Sequence, residues 1–537
     1  MKKLRLLVAG LFILPAVFSA CSGDDEGEAS SLGGSPEENN KVFMNIMASS
    51  ESPVMGMYLD ANQLLEKSGA RKDAQMGVML EGALKQMEGM GVNLDSRIMV
   101  FAEGKSVNDA VVLLMGSLSD GEKFSATIKS QVGADISEED GLYFAKISLP
   151  QMQVGDLSMA FNDNLFVAAF ATNSMSKDGL KEILKRGGEE AESKDAVLSQ
   201  FLSSKDDFGM FMKYDKLMGL VPKELMNMQA AGMNPAMNLD NMLSYYENAW
   251  TNLSVNFNVG AIEFAAVSDF PKISGYKMFA DKPLPADFAN FATPNGQVFA
   301  WFGGAFNGEA FMKYLSDANL MADLNSQIPA ESLDLMKLFT GEFAISIFSV
   351  PQNMEAEASD ADVSYSFEML DEEASKENSP EMKPEAESDF RDYIAVVGIN
   401  DAEGKLAGIM DTVKNMKKVG DYYTMNDKVF YILLGNKLVV TGNAEVATEI
   451  ARNQMLQPSS VVKQYLMNPM SGFVDMEMGA EEMVKTMDPQ QKMILGMISK
   501  LHVEGTMQRA VFRVEMKDRT MNALEAFVKM AAANMAM

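Results

Sequence analysis

Few residues in this sequence could do chemistry, and their kinds are uneven. Histidine occurs once, at His502, and cysteine once, at Cys21. Zinc sites of the usual Cys/His type need three or four such ligands and are excluded by count. His502 lies between Leu501 and Val503 in a segment read as a strand, where alternation points it away from both and toward solvent. No motif nearby supplies the nucleophile that a general base there would serve. No Walker loop, dinucleotide-binding glycine fingerprint or Gly-x-Ser-x-Gly elbow occurs. Asp and Glu number 75, so adjacency between carboxylates carries no information. No catalytic residue, cofactor or metal site is expected; a hydrolase acting on glycans or peptides through paired carboxylates stays as the alternative.

Methionine is the compositional oddity, at 47 residues. Met-x-Met pairs stand at Met55/Met57, Met210/Met212, Met226/Met228 and Met476/Met478. Thioethers at this spacing can hold Cu(I), a soft cation, which makes copper binding a third reading. Met210/Met212 and Met476/Met478 fall on expected strands, however, where residues two apart share a face. Core packing is their expected role. The segment Met226 to Met242 differs, because Met226, Met228, Met233, Met237 and Met242 sit there among Asn, Gly and Pro. It reads as a mobile Met-rich loop, with three roles open: an adaptable apolar binding surface, a copper trap, or an ordinary loop tucked against its neighbour. Tyr246 and Trp250, with Tyr245 beside them, are spaced one helical turn apart. They would stack on sugar rings if exposed and belong to the core if buried, with burial expected. Trp301, within Val298-Phe-Ala-Trp-Phe, reads as core or sheet surface.

The start of the chain carries an address. Lys2, Lys3 and Arg5 precede an apolar run from Leu6 to Val17 that is broken by Pro15 and too short to span a bilayer comfortably. The run ends in Phe18-Ser19-Ala20-Cys21, which resembles a lipobox, the site where a cysteine receives a diacylglyceryl group before cleavage. Phe18 departs from the usual aliphatic residue. A lone cysteine in an exported chain has no disulfide partner, so acylation of Cys21 explains it best. Ser22-Gly23-Asp24-Asp25-Glu26 follows. Its Ser22, Asp24, Asp25 and Glu26 resemble the export signal that sends Bacteroidota lipoproteins to the outer face of the outer membrane. Residues 1–20 are thus expected to be a signal peptide and 21–40 a flexible acidic tether reaching roughly 25 Å.

At 537 residues with 47% hydrophobic content the body can hold several cores. The formal charge of −29 repels phosphate backbones, which argues against nucleic acid as a partner. Internal similarity organises the body. Asp109-Ala-Val-Val-Leu-Leu-Met-Gly-Ser-Leu-Ser-Asp-Gly-Glu-Lys-Phe and Asp392-Tyr-Ile-Ala-Val-Val-Gly-Ile-Asn-Asp-Ala-Glu-Gly-Lys-Leu share one grammar of strand, turn and helix start. Phe161-Asn-Asp-Asn-Leu-Phe and Leu434-Gly-Asn-Lys-Leu-Val each join two apolar strands through an Asn-containing turn. Val197-Leu-Ser-Gln-Phe-Leu matches Val461-Val-Lys-Gln-Tyr-Leu in the same order. The expectation is an α+β fold of two tandem similar copies, 41–284 and 285–537, with mainly antiparallel sheets packed by helices. Residues 355–392 interrupt the second copy with fourteen acidic and three basic residues and are expected to be disordered.

The lipobox, the acidic tether and the strand and helix from Val54 to Gly69, ending Gln-Leu-Leu-Glu-Lys-Ser-Gly, resemble the Bacteroidota lipoproteins grouped as domain of unknown function 4836. That resemblance implies no activity and no site residues. The reading is a non-catalytic lipoprotein held at the outer membrane and exposed on the cell surface, its specific role open between binding a protein, peptide or glycan and envelope assembly.

Overall fold

The computed structural model describes residues 33–69, 87, 89–106, 108–147, 157–171, 175–220, 243–279, 283–317, 338–349, 392–401, 404–413, 415–478 and 489–535. The signal segment, the Cys21 region, the Met226–Met242 loop and nearly all of the 355–392 insertion lie outside these residues.

Among the described residues the strands are β1 (Pro53–Asp60), β2 (Val92–Asn93), β3 (Arg97–Glu103), β4 (Val111–Leu118), β5 (Asp135–Glu139), β6 (Leu142–Ile147) and β7 (Leu157–Phe161). They continue as β8 (Leu165–Ala171), β9 (Phe208–Lys213), β10 (Trp250–Asn258), β11 (Ala261–Asp269), β12 (Ala300–Ala305), β13 (Phe339–Ile347) and β14 (Tyr393–Ile399). The last are β15 (Met416–Val419), β16 (Tyr422–Met425), β17 (Val429–Leu434), β18 (Lys437–Thr441), β19 (Met470–Asp475), β20 (Ile498–Gly505) and β21 (Arg509–Met516). The registered pairings are all antiparallel, as an α+β fold with short turns requires.

Two compact units divide the chain. The first holds the described residues within Met1–Asp281, Asn307–Leu333 and His502–Met537, and the second those within Lys282–Phe306 and Asp334–Leu501. These units differ from the contiguous halves expected at 41–284 and 285–537. The cause lies in long-range pairing: β21 runs along β11 from Ala261↔Glu515 to Val267↔Arg509, and Asn522 donates to the Phe257 carbonyl.

In the first unit the strand order is β5-β6-β7-β8-β4-β3-β1-β9-β10-β11-β21. Its central strands are buried on both faces. Met99, Phe101, Leu113 and Met115 face a layer built from Phe43, Ile46, Leu180, Leu184 and Phe201 of three helices. Val100, Ala102, Val112 and Leu114 face Ala61, Phe124, Ile128 and Leu220 on the other side. Alternating residues thus serve two cores, which is why these strands read as continuous apolar runs.

The helices start where the side chains can cap them. Asp120 accepts from Lys123 N–H ahead of Gly121–Val132, Asp195 from Val197 and Leu198 ahead of Ala196–Ser203, and Asn443 from Glu445 and Val446 ahead of Ala444–Asn453. The tether expected to reach Asn40 stops earlier. Ser35 and Glu38 form a reciprocal capping box, and Pro36–Ala48 is helical, docking Phe43, Ile46 and Met47 with no exposed surface.

The second unit has the strand order β15-β16-β17-β18-β14-β13-β12-β19, and β19 pairs onward with β20. Trp301 is 2% exposed, in the core as read. The helix Ser460–Tyr465 presents Val462 and Tyr465 inward, and Tyr465 packs on Phe473 of β19 with ring centroids 4.7 Å apart. In the first unit Leu198 and Phe201 are buried in Ala196–Ser203, and Phe201 packs on Phe211 of β9 at 4.9 Å.

Close packing of these rings uses glycine on the neighbouring strand. A Cβ on Gly56 would lie 2.4 Å from Phe211 Cε1, and one on Gly209 would lie 2.5 Å from the Tyr58 ring. Because Phe211 has no exposed surface, its ring has nowhere to go. Gly56→Ala should therefore cost about 1–3 kcal/mol in urea unfolding. The same change in a Phe211→Leu background should cost distinctly less; an equal cost in both backgrounds would show that the ring is not the obstacle.

Candidate functional site

A concavity in the first unit lies between two chain-distant segments. After β11 the chain turns at Phe270 into the short helix Pro271–Ser274. Pro271 occupies the first turn, and Ser274 reaches back to Asp269 at 3.2 Å. Lys277 then takes a left-handed conformation at φ 54°, and the Met278 carbonyl accepts from Asn307 N–H at 2.6 Å. Asn307 caps the next helix, Gly308–Asp317, by accepting from Ala310 N–H. The cleft so formed has a volume of about 440 Å³ and is lined by Lys272, Gly275, Tyr276, Asn307, Glu309, Ala310 and Lys313.

A ladder of rings and ammonium groups underlies it. Lys272 Nζ sits 4.4 Å from the centroid of Tyr245, which meets Tyr314 edge-on at 5.5 Å. Tyr314 meets Tyr276 at 5.5 Å, and Lys313 Nζ lies 5.3 Å from the Tyr276 ring. Tyr276 donates to Asp317 Oδ2 at 2.9 Å, and Lys313 donates to the same oxygen at 2.8 Å. Burial, followed by its contacts with Tyr245 and Asp317, pushes the Tyr276 phenol well above its ordinary range. Burial likewise raises Tyr314. The bond from Lys313, then that from Tyr276, holds Asp317 below the usual carboxylate range. The cleft offers two lysine side chains, an amide, the Glu309 carboxyl group and a tyrosine to a ligand.

Of the residues singled out in the sequence, Tyr246 joins this aromatic region and Trp250 lies on a different element. The chain leaves helical geometry after Ser244, passes Asn248 at φ 56° and starts β10 at Trp250. The expected single-turn helical spacing is thus absent. Tyr246 is half-buried against Tyr214 and Phe270, at 5.9 and 6.2 Å, and Trp250 stands opposite Asp269 and Lys213. Met226, Met228, Met233 and Met237 lie outside the described residues, as do Cys21, Ser22, Asp24, Asp25 and Glu26.

Met210 and Met212 are on β9 as read, but Met476 and Met478 are not on a strand. β19 ends at Asp475, whose side chain accepts from the Glu477 and Met478 N–H groups and opens a helical turn. Met476 is buried there and Met478 is exposed. His502 does not project freely into solvent. Its side chain is 18% exposed, with Nε2 3.1 Å from the Glu515 carboxylate on the neighbouring strand.

Sequence reasoning missed Lys272, Tyr276 and Lys313. Their separation along the chain hides the cleft, and only the Tyr245-Tyr246 pair gave a local signal. Among the described residues no group of three or more His, Cys, Asp or Glu gathers as a metal would require. No helix among them is long and apolar enough to cross a membrane.

No family model matches the chain, and no curated protein matches it. Among solved structures, crystal form I of TP0453 aligns with a TM-score of 0.23 at 10% identity, over 42% of this chain and 78% of that one. A likeness of that size carries no argument about fold or function.

The Lys313–Asp317–Tyr276 contact sets a titration. Stability drawn from the lowered Asp317 pKa is present above the ordinary carboxylate pKa and fades as pH falls through the lowered value. Lys313→Met should raise the Asp317 pKa toward the ordinary range in a carboxyl-detected NMR titration. An unmoved Asp317 would mean that the ammonium group does not hold it.

Proposed function

We propose that this chain is a lipoprotein of the outer membrane, acylated on Cys21 and exposed on the cell surface, that acts by binding. The observation that carries this reading is the place of the only cysteine, directly after a short apolar run and Ser19-Ala20, with an acidic stretch behind it. Two or more acyl chains on that cysteine give stable anchoring where one is marginal. The resemblance to domain of unknown function 4836 belongs to the same reading and adds no activity.

The lining of the cleft supports the binding reading. Paired ammonium groups, the Asn307 amide and the tyrosines suit a hydroxyl-rich or carboxylate-bearing ligand such as a glycan.

We also propose that the body arose by duplication. The strand orders support it, since β5 to β9 and β15 to β19 correspond place for place around β4-β3-β1 and β14-β13-β12. The pairs Phe201–Phe211 and Tyr465–Phe473 occupy matching helix and strand positions in those orders.

Protease shaving of intact cells, with mass spectrometry of the Cys21 N-terminus, tests the address. The expected result is release of peptides from both units and a diacylated Cys21 after membrane extraction. Digestion only after permeabilisation would move the body to the periplasmic side, and an unmodified Cys21 would overturn the lipoprotein reading.

A further inference from the structure

The Met-x-Met pairs of β1 and β9, which core packing alone would explain when each strand is taken singly, lie side by side in the sheet. Met55 is directly opposite Met212, and Met57 directly opposite Met210. Opposed residues share a face, as do residues two apart on one strand, so the four side chains form a two-by-two block on one face. Opposed Cβ atoms are about 5 Å apart and neighbours along a strand about 7 Å. Unbranched thioether side chains with three rotatable bonds can turn their sulfurs to one point above such a block.

We propose that Met55, Met57, Met210 and Met212 form a binding site for one soft monovalent cation, Cu(I) in the cell envelope. Thioether sulfur selects Cu(I) over hard cations. Ala102 and Val100 stand opposite Met55 and Met57 on β3, and Thr251 and Leu253 stand opposite Met212 and Met210 on β10. Met55 is 5% exposed while the other three are half-buried, so the block is sheltered but reachable. Sheet packing does not itself demand thioethers here. The β12–β19 pair, at the corresponding place in the second unit's strand order, opposes Ala300 to Val474 and Phe302 to Gly472.

The donors are neutral and carry no proton to displace, so affinity should not change with pH, unlike that of Cys or His sites. The test is titration of the full chain carrying Cys21→Ser, which removes the only thiol, with Ag(I) as a redox-inert probe competed against a chromophoric chelator. One Ag(I) should bind per chain with affinity unchanged between pH 7 and pH 5. Met57→Leu should weaken it several-fold, and Met57→Leu with Met210→Leu at least 10-fold. Leucine nearly conserves volume, and an unchanged unfolding midpoint will show that the variants remain folded. The proposal fails if the double variant binds as tightly as its parent, or if affinity falls at pH 5. It fails also if Met226→Leu with Met228→Leu removes the binding instead.

Discussion

Phe211 has no exposed surface, and its ring occupies the space that a side chain on Gly56 would need. That single exclusion shows what the first unit's sheet depends on. Its central strands are apolar on both faces, and where a ring lies flat across the sheet the facing position on the next strand is glycine. Phe166 lies against Gly116 in the same way, and in the second unit Phe302 lies against Gly472. Glycine opposite a ring leaves the space across which that ring lies, while the strands keep their usual spacing of about 4.8 Å. With both faces apolar, helices must cover both, and the caps at Ser35, Asp120, Asp195 and Ser459 begin helices where the chain leaves a strand or loop.

Several charged groups drawn into this frame are satisfied by one another. Asp207 has no exposed surface, yet Lys67 Nζ reaches both of its oxygens at 2.7 Å and Phe257 N–H donates to Oδ2. Arg97 lies over the Tyr58 ring at 4.2 Å while its guanidinium donates to Asp60 and to the Ser204 carbonyl. A buried carboxylate left alone would be costly, so each such contact ties distant segments into one arrangement. The same economy shapes the cleft. On a chain of net charge −29, Lys272 and Lys313 are held beside tyrosine faces, and Asp317 answers Lys313.

The long hairpin of β10 and β11 links these two themes. It is registered from Trp250↔Asp269 to Asn258↔Ala261 without a break. One end delivers Phe270 and the Pro271–Ser274 turn to the cleft, while β21 extends the sheet along its outer side. Phe264 and Phe512, opposite each other on β11 and β21, remain about 40% exposed. The paired strands fix the segments from which Lys272 and Tyr276 project.

Much of the local structure was legible in the residues themselves. Asp120-Gly-Glu-Lys and Asp195-Ala-Val-Leu announce helix starts because a cap and the amides it serves lie within three residues. Val197-Leu-Ser-Gln-Phe-Leu and Val461-Val-Lys-Gln-Tyr-Leu show which helix positions turn inward, and Leu198, Phe201, Val462 and Tyr465 are the buried ones. The Asn-containing turns at 162–164 and 435–436 likewise encode their hairpins locally. Tyr246 and Trp250 misled because spacing cannot tell a helical turn from a turn that enters a strand. Met476 misled because the strand ends one residue before it, where Asp475 caps. Only the tertiary structure placed Met55 opposite Met212, brought Tyr276 to Asp317 across 41 residues, and set β21 against β11. Register and long-range pairing depend on the whole chain closing on itself, and no short stretch of sequence contains that information.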